Sequence, residues 1–112
     1  MSGYEFEGFL KKLFQRRGYQ VVHTKLSKDQ GADLIIKKFG EKTAVQAKRY
    51  SGTIGNKAVR EVLGAISLYK CQKGMVVATS NKFSKEAREL AKENHIELIG
   101  RTRLREWIEK YW

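Results

Sequence analysis

The spacing of apolar side chains changes several times along the chain between the helical and the strand pattern. Apolar residues recur every three or four positions over residues 4–17, which predicts an amphipathic helix that ends before Gly18. Short β-branched and aromatic runs bounded by turn residues predict strands. The predicted order is αβββαβαβα, with helices at residues 4–17, 56–70, 84–94 and after Thr102, and strands at residues 19–24, 32–37, 43–50, 74–79 and 96–99.

These elements predict an α/β fold with a single mixed central β-sheet flanked by helices. One sheet covered on both faces is the economical way to bury the apolar side of every element. The chain has 112 residues, the usual size of one domain, so we expect residues 1–112 to form a single domain.

The polar groups that interrupt this pattern lie in residues 31–50, GADLIIKKFGEKTAVQAKRY, which predict two strands joined by a turn at Gly40. Side chains alternate along a strand, so Gln46 and Lys48 share one face. Asp33 comes just before the apolar run of the first strand. A carboxylate, an amide oxygen and an ammonium at one end of a hairpin could hold a divalent metal and activate a water. The alternative is a cross-strand ion pair between Asp33 and Lys48 on a solvated face.

The net charge of the chain indicates which class of partner it binds. It has 23 basic and 12 acidic residues, a formal net charge of +11, which favours a polyanion, with nucleic acid ahead of an anionic membrane. No apolar run approaches the roughly 20 residues that span a bilayer, and the first residues lack the pattern of a signal peptide. We therefore expect no membrane partner and a cytoplasmic location, with which the single cysteine agrees.

Other kinds of chemistry lack support in the sequence. It contains no glycine-rich phosphate loop and no CxxC pair. His23 and His95 are isolated from other metal ligands, and no histidine is placed to activate Cys71 as a nucleophile. Zinc sites and thiol catalysis are therefore not expected.

The spacing D-x12-Q-x-K, formed by Asp33, Gln46 and Lys48, resembles the PD-(D/E)XK nuclease superfamily. The resemblance is closer to the catalytic domain of Mrr-type restriction endonucleases, which commonly carry Gln at the second motif position, and it implies a restriction-endonuclease-like fold. It covers nearly the whole chain. Its pieces are FE at 6–7, GYQV at 18–21, GADL at 31–34, VQAKRY at 45–50, VVATSNKFS at 76–84 with Ala87, and IELIG at 96–100.

The resemblance implies a role for each motif residue. Asp33 would bind the metal, Gln46 would offer its side-chain oxygen, and Ala47 would offer its backbone carbonyl. Lys48 would orient or deprotonate the attacking water and offset charge on the phosphorane. Glu7 would complete the site directly or through water, although a glutamate there could also simply interact favourably with the helix dipole. Mg²⁺, with Mn²⁺ as a substitute, is the expected cofactor because the ligands are hard oxygens.

The activity implied is Mg²⁺-dependent hydrolysis of DNA phosphodiester bonds by an endonuclease of the Mrr-like restriction type. A Holliday junction resolvase of the same superfamily and a catalytically silent nucleic-acid-binding module are the alternatives. Cutting both strands needs two sites or sequential nicks, so we expect a homodimer, and a separate DNA-recognition subunit could supply target choice. The candidate DNA contacts are Gln30, Arg49, Tyr50, Lys57, Arg60, Ser80, Asn81 and Lys82.

Overall fold

Helices and strands follow one another in the predicted order in the computed structural model, which describes residues 2–24 and 33–112. The helices are α1 (Gly3–Arg16), α2 (Asn56–Tyr69), α3 (Lys85–Glu93) and α4 (Arg101–Tyr111). The strands are β1 (Gln20–His23), β2 (Leu34–Lys38), β3 (Glu41–Lys48), β4 (Lys73–Ala78) and β5 (Glu97–Ile99). No helix in the described parts of the chain is long and apolar enough to cross a membrane.

The five strands form one mixed sheet in the order β1-β2-β3-β4-β5. The pairs β1–β2 and β2–β3 are antiparallel, and β3–β4 and β4–β5 are parallel. The predicted α/β fold with a single mixed sheet is therefore confirmed. Because β3 and β4 run in the same direction, the carboxyl end of β3, which carries the motif residues, opens at the same edge of the sheet as the end of β4.

Two helices cover each face of the sheet. On one face, α1 and α4 pack over a core that includes Phe6, Val45 and Val77. On the other face, α2 and α3 pack over a second core that includes Val62 and Val76. Since Val45 faces α1, the alternation of side chains turns the next residue of β3 and every second one after it toward α2. The polar motif residues of β3 therefore lie under α2.

The ends of several elements differ from the prediction because tertiary contacts set them. β3 ends at Lys48 rather than at Tyr50, whose N–H and carbonyl both bond the hydroxyl of Thr79, at 2.9 and 3.1 Å. α2 begins at Asn56 as predicted, with Gly55 as its N-cap, and ends at Tyr69 rather than at Lys70. The turn between β2 and β3 is as predicted at Gly40, which adopts a φ of 79°.

Gly74 shows how closely α2 packs on the sheet, since a Cβ built there would lie 2.4 Å from Val62 Cγ1 and 2.7 Å from Ile66 Cδ1. We expect Gly74→Ala to lower the free energy of unfolding by about 1–3 kcal/mol because of this overpacking. The matched control is Gly64→Ala on the exposed side of α2, where a Cβ meets nothing within 4 Å and a helix gains about 0.5–1 kcal/mol. Urea unfolding measures both, and equal stabilities of the two variants would contradict the packing.

Candidate active site

Asp33 is held at the edge of the hairpin by both its backbone and its side chain. Its N–H donates to the carbonyl of Val45 at 2.9 Å, and its carbonyl accepts from the N–H of Thr24 at 3.2 Å. Its carboxylate oxygen Oδ2 accepts from the N–H of Ala47 at 2.8 Å. A carboxylate fixed to a strand backbone keeps one orientation, with the other oxygen left for a further partner.

Gln46 supplies the second oxygen of the predicted metal site. Leu34 pairs with Val45 across the hairpin, and the N–H of Asp33 also bonds the carbonyl of Val45, so Gln46 directly follows the residue that anchors Asp33. The Gln46 side chain is buried, with 6% exposed, and its Oε1 has no hydrogen-bond partner among the described residues. A buried amide oxygen without a partner costs about 1–3 kcal/mol, and most such atoms in proteins are paired. The oxygen is thus an open acceptor inside the site.

Lys48 follows on the same face of β3 and contacts α2. Its Nζ lies 3.7 Å from Oε1 of Glu61, and the side chains are 31% and 15% exposed respectively. Within the described parts of the chain, Lys48 therefore pairs with a helix rather than forming the cross-strand ion pair with Asp33 that was the alternative. Sequence reasoning gave Glu61 no place in the site.

A signal for Glu61 was nevertheless present in the helical spacing. Residue 61 lies three positions after Ala58 and four before Ala65, and both alanines are buried on the sheet-facing side of α2. Positions three and four apart share a face of a helix. A carboxylate on a buried face of a helix needs a partner. The helical spacing therefore indicated that residue 61 faces the sheet, where Lys48 is the available cation.

The carboxyl groups of the site influence one another. Burial raises the pKa of Asp33, while the bond from Ala47 and the Lys48 ammonium act to lower it and the Glu61 charge acts to raise it. Burial and the neighbouring Asp33 charge also raise the pKa of Glu7 on α1. The charge of Asp33 thus interacts with the charges of Lys48 and Glu61 and with that of Glu7.

The donor set fits a magnesium-type ion. Within residues 2–24 and 33–112, no three His, Cys, Asp or Glu side chains are grouped to hold a metal. Asp33 and Gln46 instead offer one carboxylate and one unpaired amide oxygen. Mg²⁺ is commonly held by one or two carboxylates and keeps several waters, so a site with few protein ligands suits it.

Some candidate DNA contacts line a cleft beside Lys48. A cleft of about 310 Å³ is bordered by Lys48, Arg49, Tyr50 and Lys57, among others, and it leads from the motif residues to the start of α2. Arg60 is exposed on α2. Gln30 lies outside the described residues.

Other candidate contacts have bonds inside the protein. The Ser80 hydroxyl is buried, donates to the carbonyl of Gly52 at 2.9 Å and accepts from the N–H of Lys82 at 3.0 Å. The Asn81 side chain accepts from the N–H of Thr102 at 3.1 Å and so caps α4. DNA contact by these residues stays a prediction, and sequence reasoning missed their internal bonds.

Several solved endonuclease structures share this fold. The DNA modification-dependent restriction endonuclease AspBHI matches with a TM-score of 0.73 and 19% identity over 90% of this chain and 29% of its own. A repair endonuclease from Pyrococcus abyssi matches with a TM-score of 0.63 and 17% identity over 89% of this chain and 46% of its own. The MspJI restriction endonuclease in complex with a 27-mer oligonucleotide matches with a TM-score of 0.60 and 21% identity over 88% and 26%. The chain spans less than half the length of each.

The sequence itself was compared with families and with curated proteins. No curated protein matches the chain. The family model Mrr_cat, described as a restriction endonuclease, matches residues 1–108, which include every motif residue discussed above. With the sheet order, the Asp33–Ala47 bond and this match in hand, we conclude that the chain belongs to the Mrr catalytic-domain family of restriction endonucleases.

Proposed function

We propose that this restriction-endonuclease-like domain hydrolyses DNA phosphodiester bonds with a divalent metal ion, Mg²⁺ in the first instance, as an endonuclease of the Mrr-like restriction type. PD-(D/E)XK nucleases usually use divalent metal ions. The observation that carries the proposal is the unpaired buried oxygen of Gln46, one residue before the N–H that fixes the Asp33 carboxylate, with the Lys48 ammonium on the same face of the same strand. Burying an apolar side chain at position 46 would cost less free energy than burying an unpaired amide oxygen, unless a cation binds that oxygen.

The residues that would hold the ion are Asp33, Gln46 and the backbone carbonyl of Ala47. The bound ion would polarise a phosphoryl oxygen and lower the pKa of a water. Asp33 is suited to this task because burial disfavours its charge until a cation arrives, and because the Ala47 N–H already orients it. Gln46 brings no charge, so we expect modest affinity for the ion until DNA phosphate completes the set of ligands.

The remaining roles fall to two side chains that reach the site from different elements. The Lys48 ammonium would orient the attacking water and offset the negative charge that develops on the phosphorane. Glu7 would complete the site directly or through water, since the Asp33 charge reaches it from the end of the sheet. Both roles require a phosphodiester to enter beside β3.

DNA is the partner that the charge and the cleft support. The chain carries a net charge of +11, and Arg49, Tyr50 and Lys57 border the cleft next to Lys48. The solved MspJI structure holds an oligonucleotide, which supports DNA as the ligand of this fold. Lysine and arginine contacts to phosphate would make the affinity fall steeply with salt. Gln30, Arg60, Ser80, Asn81 and Lys82 remain proposed contacts.

A homodimer and a separate DNA-recognition subunit are also proposed. One site of this kind cuts one strand at a time, so a double-strand cut needs two sites or two successive nicks. Light scattering of the protein with and without DNA tests the dimer, and a monomer in both states would count against it.

Removal of either central motif side chain should abolish cleavage without abolishing DNA binding. We expect Asp33→Ala and Lys48→Ala each to reduce Mg²⁺- or Mn²⁺-supported nicking of plasmid DNA by about 10²-fold or more, because each removes charge stabilisation at the reacting phosphate. Lys92→Ala, which removes an exposed lysine of α3, is the matched control and should cleave normally. Fluorescence anisotropy measures binding in the absence of turnover.

Two outcomes of this cleavage assay would contradict the proposed function. A wild-type protein inert on duplex, branched and methylated DNA with either cation would favour a silent binding module. Preferential cutting of four-way junctions would favour a Holliday junction resolvase.

The electrostatic cost of Asp33 gives a second prediction that needs no substrate. Burial raises the pKa of Asp33 in the folded state. The protonated carboxyl therefore stabilises the fold fully at a pH below 3.8, the ordinary pKa of the group. This stabilisation is lost as the pH rises through the pKa of Asp33 in the folded protein. At pH 7 without metal, Asp33→Asn should therefore melt at a higher temperature than the wild type, and the difference should shrink toward pH 4.

Glu106→Gln, an exposed change of the same charge on α4, is the control for this melting experiment because it shifts the net charge equally. Thermal unfolding followed by circular dichroism gives the comparison. If Asp33→Asn melts at a lower temperature than the wild type and Glu106→Gln at pH 7, the ionised carboxylate stabilises the fold and the prediction is wrong.

A further inference from the structure

Glu61 is a charged residue that neither the motif nor the proposed chemistry uses. It lies on the sheet-facing side of α2, 15% exposed at its side chain, and burial of a carboxylate is costly unless it is paired. Its Oε1 is buried and makes no hydrogen bond within the described parts of the chain. The Lys48 ammonium, 3.7 Å away, is the positive charge that faces it.

The Lys48 ammonium interacts with two carboxylates. Glu61 holds it from the α2 side at 3.7 Å, and the Lys48 charge also acts to lower the pKa of Asp33 across the end of the hairpin. A lysine has a flexible four-carbon stem and a compact charge, so it can move to whichever carboxylate attracts it more strongly. An ammonium seated on Asp33 would occupy the carboxylate that the metal needs.

We propose that Glu61 is a positioning residue that draws the Lys48 ammonium toward α2 and thereby keeps the Asp33 carboxylate open to the metal ion. This inference rests on the proposed function, because it assigns Glu61 a task within the same site. The geometry separates the two carboxylates by role: Asp33 is oriented by the Ala47 N–H, whereas Glu61 has the ammonium as its partner.

The test is a double-mutant cycle on metal binding without DNA. Mn²⁺ affinity of the metal-free protein is measured by electron paramagnetic resonance for the wild type, Glu61→Gln, Lys48→Met and the double variant. We expect Glu61→Gln to weaken Mn²⁺ binding by about tenfold or more in the wild-type background, as for other residues that support a metal ligand. In the Lys48→Met background the same change should have little effect, since no ammonium remains to move onto Asp33.

A matched control removes the charge of another glutamate that forms an ion pair with a lysine on a helix. Glu89 lies 3.9 Å from Lys85 on α3 and is 61% exposed, so Glu89→Gln should leave Mn²⁺ affinity unchanged. Circular dichroism establishes that each variant is folded, and Glu61→Ala replaces Glu61→Gln in the cycle if the latter is not.

The outcomes separate this inference from the function on which it rests. An equal loss of Mn²⁺ affinity in both backgrounds would mean that Glu61 acts through its own charge, and an unchanged affinity would mean that it does not act on the site; either result overturns the positioning role alone. A wild-type protein that binds no Mn²⁺ would overturn the proposed metal site and the role of Glu61 together.

Discussion

The hydrogen bond from the Ala47 N–H to the Asp33 carboxylate connects the chemistry of this protein to its sheet. It joins the residue before β2 to the end of β3, so it exists only if the hairpin pairs in the observed register. A slip of one residue would turn every side chain of β3 to the opposite face and would remove Gln46 and Lys48 from α2. The burial of Val45 against α1 is what makes such a slip costly. Correct packing of the core and correct assembly of the site are therefore one requirement.

The charge distribution answers two opposing needs. DNA is the proposed partner, and the net charge of +11 would attract such a polyanion over the whole molecule. The divalent cation of the proposed function would need the opposite sign at close range, which the Asp33 carboxylate would provide, with Glu7 near enough to be influenced by its charge. Burial raises the pKa of Asp33 and of Glu7, so the charged form of each carboxyl is disfavoured in the fold.

The sequence was most informative where a pattern was local. Strand alternation predicted that Gln46 and Lys48 share a face, and the glycine at position 40 predicted the turn, because both depend on neighbouring residues. The bonds of Ser80 and Asn81 were missed, since they reach Gly52 and Thr102, which are distant in sequence. Charge on a helix is usually solvated, and for that reason the position of Glu61 on the buried side of α2 was overlooked. The partner of a single polar side chain depends on which helices and strands pack against each other. The hydrophobic pattern of the sequence does not specify that packing.

The proposed hydrolysis depends on a cation that uses the unpaired oxygen of Gln46 together with the fixed carboxylate of Asp33. The most direct measurement is anomalous X-ray diffraction from crystals of the wild-type protein soaked in Mn²⁺. We expect an anomalous peak at about 2–2.3 Å from one oxygen of Asp33 and from Oε1 of Gln46, the distance range of such ions from oxygen ligands. A Gln46 side chain bonded to a protein donor, with no peak beside Asp33, would contradict the account.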